Sequence, residues 1–512
     1  MTKDDTAQGQ WARLDAKRQQ LLRRCELYAR YTLPYLWTPI GGDTDRDGAA
    51  RDWQSIGAQA LNHIVTKLML TLFSPSRPFI RLDAGDALRA DAQAQNISDA
   101  DLTALLGETE RKAVKKLDQM SLRPKLFEVL KHVVAFGNVL MILDEANKLI
   151  RTISLKNYVV KRDIVGRLHT LIIRERVAFD ELTQAAQAAT PAQHRPQVGA
   201  ESNEVEFFIV LTRKAGKYLE TQWVGKHNLG AAFETTYADE AALPYRVLTW
   251  NLADEADYGS GLVGDCENDF AALSVLSQAL IEGAILASEY RWLLSPGSSM
   301  RPEDFKASEN GGIIPGVDGD LSLVNAAGAL AGSLQVQQQT LGDYVNRIGR
   351  TFLLSSAMTR DAERVTAEEI RLMAQELETG LGGGYSRMAV DVQLPLGVWL
   401  IGMTGVKFTK TEAQPTVVTG LDALSRNGDL SNLRGFMEDV VRLGALPPEV
   451  LTWLKLDALF TDLGTGHGVT AGKYVETAKN VAAKQQQQQQ AAVSENIATE
   501  AGKAAAQGAV AQ

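Results

Sequence analysis

Two apolar stripes of helical period, separated by a compact insert, set the tightest limit on how this chain folds. Leu262, Cys266, Phe270, Leu273, Leu276, Leu280, Ala284 and Ala287 step by three or four. Such spacing predicts one continuous helical face over about eight turns, from 261 to 290. Residues 292–330 interrupt it with glycine, proline and short apolar runs such as GGIIPGVDGDLSLV. The helical period then returns over 334–354, with Leu341, Val345, Ile348 and Phe352 on one face. A helix, a compact insert and a returning helix make a protruding hairpin with a tip. A lone hairpin cannot bury both stripes. Either the helices pack on their own domain, or copies pack around a ring whose head-to-tail contacts close.

The remainder of the chain reads as α+β and mostly helical. Its 512 residues exceed one ordinary core, so several modules are expected. Residues 11–36 read as a first helix ending near Pro34. Ile56, Ala60, Ile64, Leu68 and Leu72 mark an amphipathic helix over 53–73, broken by SPSRP. Helices are expected at 101–118 and 124–136. From 138 to 250 the segments NVLMIL, TISLKNYVV, HTLIIRERVAF, EVEFFIVLTR, YLETQWV and YRVLTWNL are short and rich in β-branched residues. These predict antiparallel strands, with a short helix and loop at 181–200.

After the returning helix comes SSAMTRDAERVTAEEIR, residues 355–371. Thr366 and Glu369 have the T-x-x-E spacing of a capping box, so a helix starts at about Ala367 and Ser355–Val365 is a loop. Ile370, Met373, Leu377, Leu381, Tyr385, Met388, Val392, Leu396 and Trp399 keep helical spacing through 366–400. Gly382, Gly383 and Gly384, next to Gly380, interrupt it. Each interior glycine costs roughly 1 kcal/mol against alanine, so a kink is expected there. Shorter helices follow over 415–480. The end, beginning KQQQQQQAAV, is a low-complexity Gln/Ala tail.

Charge and motifs exclude more than they select. Net charge is −9, whereas proteins that grip nucleic acid by its phosphates are usually basic. Two cysteines, Cys25 and Cys266, suit a reducing cytoplasm, and the polar N-terminus shows no leader. The apolar stretch 270–294 carries Gln278, Glu282, Glu289 and Arg291, which argues against membrane insertion. GSGLVG (259–264) matches G-x-G-x-x-G but follows ADEADY and lacks the flanking strands, so it reads as a flexible entry to the long helix. DTDRDG (43–48) has the first calcium-loop carboxylates, but Gln54 stands where the bidentate Glu belongs. HGVTAGKY (467–474) lacks the first glycine and the Ser/Thr of a P-loop. The histidines are scattered, without metal spacing. No enzyme, cofactor or metal is expected. A nucleotide-binding enzyme using GSGLVG stays as an alternative, as does another ring- or pore-forming assembly protein.

Several separated stretches resemble the portal (head-to-tail connector) proteins of T-seven-like short-tailed bacteriophages. They are YARYTLPYLW (28–37), QSIGAQALNHIVTKLMLTLF (54–73), RPKLFEVLKHVVAFGNVLMIL (123–143) and NYVVKRDIVGRL (157–168). The longest is ERVTAEEIRLMAQELETGLGGGYSRMAVDVQLPL (363–396). The segment 181–235 and the tail after Lys484 match less closely. The resemblance implies a cyclic ring, usually dodecameric, at one capsid vertex. It implies a wing (1–260), a first stem helix (261–291), a clip (292–333) and a second stem helix (334–354). A channel loop (355–365), a long wing helix (366–400), wing and crown helices (401–480) and a crown tail (481–512) complete it. Implied partners are other copies of the chain, the terminase motor, tail adaptor and tail tube proteins, major capsid and scaffolding proteins, and internal core proteins. Double-stranded DNA would pass without being read. Met358, Arg360, Asp361, Glu363 and Arg364 would belong to that channel loop, with Arg360 and Arg364 the candidates to face the bore. Arg347 and Arg350 on the returning stem helix are further lining candidates. The plainer reading of each arginine is a surface ion pair, for example Arg364 with Glu363 or Glu368.

Overall fold

The computed structural model describes residues 6–37, 52–73, 79–354 (without 96, 98, 197–202, 310 and 326), 367–405 (without 382), 416–418 and a few positions between 435 and 459. Residues Met1–Gly420 form one compact unit and Leu421–Gln512 a second. In the second unit the described residues are short helical pieces, with Arg442 3.6 Å from Asp439.

The chain opens with α1 (Ala7–Lys17) and α2 (Gln19–Tyr31), not the single helix that the period over 11–36 predicts. Arg18 breaks it. Its guanidinium is buried, donates to the carbonyl oxygens of Leu155, Lys156 and Tyr158, and pairs with Asp15. A buried cation requires such acceptors. Turning inward to reach them takes the backbone out of the helix, at φ −106° and ψ 6°.

Next come α3 (Ile56–Leu72), β1 (Arg81–Asp83), α4 (Asp86–Ala94), α5 (Asp99–Gln119) and α6 (Arg123–Phe136). Along α3, Ala60, Ile64, Leu68 and Leu72 are fully buried, as their spacing predicts, and α3 packs on α6. The β1 strand pairs with β13 (Thr416–Val418), far away in sequence. Both strands are three residues long, too short to announce themselves by alternation.

The strand-rich region is antiparallel throughout. β2 (Asn138–Asp144) and β3 (Leu149–Ile153) form a sheet with β10 (Tyr245–Thr249). β4 (Tyr158–Arg162), β5 (Leu168–Ala178), β6 (Glu204–Lys214), β7 (Lys217–Val224), β8 (His227–Asn228) and β9 (Glu234–Tyr237) form a second. TISLKNYVV thus splits between two sheets, at a 3-10 turn over Leu155–Asn157. α1 lies on the larger sheet, burying Trp11 among Val159, Ile172, Phe208, Val210 and Trp223. α7 (Gln184–Ala189) is the short helix expected in 181–200.

The helix–insert–helix unit follows. α8 (Leu262–Asp265) and α9 (Glu267–Ser288) are separated by a break at Cys266, so the stripe is carried by two helices. β11 (Tyr290–Leu294), α10 (Pro302–Ala307) and β12 (Leu321–Asn325) make the insert. α11 (Ala327–Thr351) returns, starting earlier than its apolar period shows. The stretch read as one long helix is α12 (Ala367–Gly380), α13 (Gly384–Met388), a π-helical turn over Ala389–Gln393 and α14 (Leu394–Gly402). Gly383 takes φ +85° at the break, where a side chain would be strained. Gly382 lies outside the described residues.

Candidate functional site

The α9–α11 pair divides into an anchored base and an unburied remainder. At the base, Tyr31 stacks on Phe270 with ring centroids 6.0 Å apart, and Phe270 meets Phe352 edge-on at 6.1 Å. Glu267, at the start of α9, accepts from Arg24 at 2.7 Å and from the Tyr28 hydroxyl at 2.9 Å. Burial and that carboxylate push the Tyr28 phenol well above its ordinary pKa, so it stays a donor. Ser274 donates to Asp52. Ile348 on α11 and Phe352 just past its end are fully buried, and Phe352 is the ring that meets Phe270.

The entry to α8 is a backbone crossing. A Cβ on Gly261 would lie 2.6 Å from the Gly137 nitrogen and 2.7 Å from the Ala135 carbonyl oxygen. Asn138 closes the crossing: its amide donates to the Gly259 carbonyl at 2.7 Å, and its Oδ1 accepts the Gly259 N–H at 2.8 Å. The glycines of GSGLVG therefore serve close backbone approach and do not make a flexible entry.

Beyond Ser277 the burial stops. Ile281, Ile285 and Leu286 are exposed on α9, as is Val336 on α11, and Val275 is already exposed before them. By length and composition α9 could cross a membrane, and it is not an ordinary core helix, since only 17% of its most apolar window is buried. Gln278 and Glu282 interrupt the apolar face and hydrogen-bond each other at 2.8 Å. The two helices cross closely at Gly283, where a Cβ would lie 2.8 Å from Leu334 Cδ2. The outer end is the β11–β12 ribbon, with Trp292 packed on Phe305 at 5.2 Å. Tyr290, Trp292, Leu293, Leu323 and Val324 are all exposed on it. A two-stranded ribbon with apolar side chains in water is marginal by itself.

At the inner end α11 stops in a Schellman motif. Leu354 N–H bonds the Gly349 carbonyl at 2.7 Å, and Leu353 N–H bonds the Arg350 carbonyl at 3.2 Å. Leu353 takes the left-handed position at φ +55°, a place usually given to glycine. Its carbonyl meets Lys67 Nζ at 3.3 Å and His63 Nε2 at 3.2 Å.

The sequence-read site residues divide accordingly. Met358, Arg360, Asp361, Glu363, Arg364 and Thr366 lie outside the described residues, as do DTDRDG, HGVTAGKY and the Gln/Ala tail. Glu369 lies in α12, which begins at Ala367. Arg347 is exposed, pairs with Asp269 at 2.7 Å and lies over the Tyr344 ring at 5.2 Å. It thus has the surface ion pair that its plainer reading gives it. Arg350 is exposed one turn later. Lys67 and His63 were missed by sequence reasoning. A signal existed, because Lys67 occupies a core-facing position between Ile64 and Thr71 on α3. Among the described residues no group of three or more His, Cys, Asp or Glu could hold a metal.

A structural element with a buried base, an apolar uncovered shaft and a small ribbon tip belongs to a protein that assembles. The chain is a member of the bacteriophage head to tail connecting protein family, whose model matches residues 4–475. Its place is the head–tail junction of a virion. It is 31% identical over 428 residues to the portal protein of Enterobacteria phage SP6, covering 84% of this chain and 82% of that protein. It is also 31% identical over 458 residues to the portal protein of Escherichia phage T7, covering 84% of this chain and 81% of that protein. Among solved structures, a chain in the neck of an empty GTA particle aligns over 84% of this chain and 95% of its own length. That pair is 12% identical with a TM-score of 0.37, too loose an overlap to define the fold.

Proposed function

We propose that copies of this chain close into a portal ring at one capsid vertex, forming the channel through which double-stranded DNA is packaged and ejected. The observation that carries this reading is the exposed apolar face of α9. A face of that length in water marks an interface. Another copy suits it better than lipid, since a bilayer would place Glu282 in hydrocarbon at a cost of about 3 kcal/mol. In this reading α8, α9 and α11 are the stem and the β11–β12 ribbon with α10 is the clip. The clip docks the terminase motor and then the tail adaptor. The sheets and remaining helices of the first unit are the wing, which meets capsid and scaffolding proteins. Residues 481–512 belong to a crown toward the internal core proteins.

The chain acts as a conduit and not as an enzyme. A strongly basic wall would hold phosphates through salt-dependent contacts and stall the DNA. A chain of net charge −9 avoids that. Arg360 and Arg364, repeated around a ring, would supply a narrow positive band in the loop 355–365. Phage carrying Arg360→Ala and Arg364→Ala tests this. The expected result is normal ring assembly with reduced packaged or retained genome, and normal packaging and retention would overturn the loop assignment.

A further inference from the structure

A single lysine bonds to the chain on both sides of residues 355–366. Lys67, on α3, is only 7% exposed. Its ammonium donates to the Leu353 carbonyl at 3.3 Å, where α11 has just ended, and to the Glu376 carboxylate at 3.2 Å, on α12. Three elements therefore share one cation. A buried ammonium is stable only with acceptors around it, and here they come from the two sides of one chain segment.

The surroundings reinforce this junction. His63, one turn earlier on α3, lies 3.2 Å from the same Leu353 carbonyl. Burial, and then the neighbouring Lys67 charge, lower the His63 pKa, although the carbonyl and Glu376 oppose the shift. A neutral imidazole carrying its proton on Nε2 is then a second donor to that oxygen. On the apolar side, Leu353 packs against Gly380 at the end of α12, where a Cβ would sit 3.1 Å from Leu353 Cδ2. Leu353 itself holds a left-handed conformation that is strained for a non-glycine residue. Such strain persists where surrounding contacts over-determine the backbone, and among the described residues both Lys67 and His63 meet the Leu353 carbonyl.

We propose that Lys67 is a positioning residue that locks the end of α11 and the body of α12 to α3, so that both flanks of segment 355–366 are held by one side chain. The contacts that make the lock lie among the described residues. Its consequence for DNA rests on the channel reading of that segment.

Hydrogen exchange on the full-length oligomer tests the lock. In Lys67→Met, residues 350–354 and 367–380 are expected to exchange about tenfold faster while the rest of α3 keeps its protection. Lys67→Arg keeps a charged donor and is expected to restore slow exchange at both segments. Glu376→Gln, at a half-exposed side chain that leaves the core intact, is expected to speed exchange at 367–380 even if Lys67→Met does not fold. Wild-type exchange at 367–380 in Glu376→Gln would overturn the proposal. So would loosening in Lys67→Met spread evenly through the first unit. In phage, Lys67→Met is expected to lose retained genome and Lys67→Arg to recover it. Local loosening with normal retention would uphold the lock and remove the channel reading instead.

Discussion

The Gly137 nitrogen lies 2.6 Å from the point that a Cβ on Gly261 would occupy, so two backbone segments cross there with no room for a side chain. This crossing is where the strand-rich region meets α8, and Asn138 rivets it through both hydrogen bonds to Gly259. Gly137 also takes φ +74°, which ends α6 and starts β2.

Gly261→Ala is expected to destabilise the chain by about 2–4 kcal/mol, because backbone and not a flexible side chain must move. Gly137→Ala adds left-handed strain and should cost at least as much. Gly107→Ala is the control. Gly107 lies mid-helix on α5 with nothing within 4 Å of its Cβ position, so alanine should stabilise by about 0.5–1 kcal/mol. Denaturant midpoints of the three variants check this order.

Arg18→Met is expected to cost about 3 kcal/mol in urea unfolding. It removes the donor to the buried carbonyls of Leu155 and Tyr158, and an unsatisfied buried acceptor costs about 1–3 kcal/mol. Arg18→Lys should recover only part, since one ammonium cannot reproduce the guanidinium fork.

Both residues show why the sequence was legible only in part. The α3 stripe and most strand segments follow from local period, because burial on one face is a local constraint. Arg18 looked like any helix-surface arginine, since its acceptors lie in a turn more than a hundred residues on. The glycines at 259 and 261 looked like a flexible entry because their cause, Gly137, is equally remote. The uncovered half of α9 is the converse case. Its apolar stripe reads as a buried face, and in the single chain it is buried only as far as Ser277. For the site, the helix pair and the Gly383 break followed from spacing. Lys67 did not, because its partners at Leu353 and Glu376 meet only in the fold.

Stability is expected to fall between pH 6.5 and pH 4 through His132. It is buried in α6 beside the Phe136 ring, with no hydrogen bond to Nδ1, and burial lowers its pKa to about 4. The unfolded histidine, near 6.5, binds a proton in that window while the folded one does not. Its contribution is therefore present above about pH 6.5 and is lost as pH falls, by about 3 kcal/mol in all. His132→Leu should gain on the wild type by that amount between pH 7 and pH 4 in urea titrations.

A charge placed on the exposed α9 face separates folding from assembly. Ile285→Asp and Leu286→Asp alter side chains already exposed in the single chain, so far-UV circular dichroism and thermal midpoint should change little. Assembly should fail, because an unpaired carboxylate in an interface is costly to desolvate. Light scattering coupled to size-exclusion chromatography reads the outcome directly.

The central claim is that the chain is one subunit of a closed ring, and negative-stain electron microscopy of the purified full-length protein tests it most directly. Rings of uniform diameter with a central hole are expected for the wild type, and dispersed single particles for Ile285→Asp. A wild-type sample that remains a compact monomer at every concentration would contradict it.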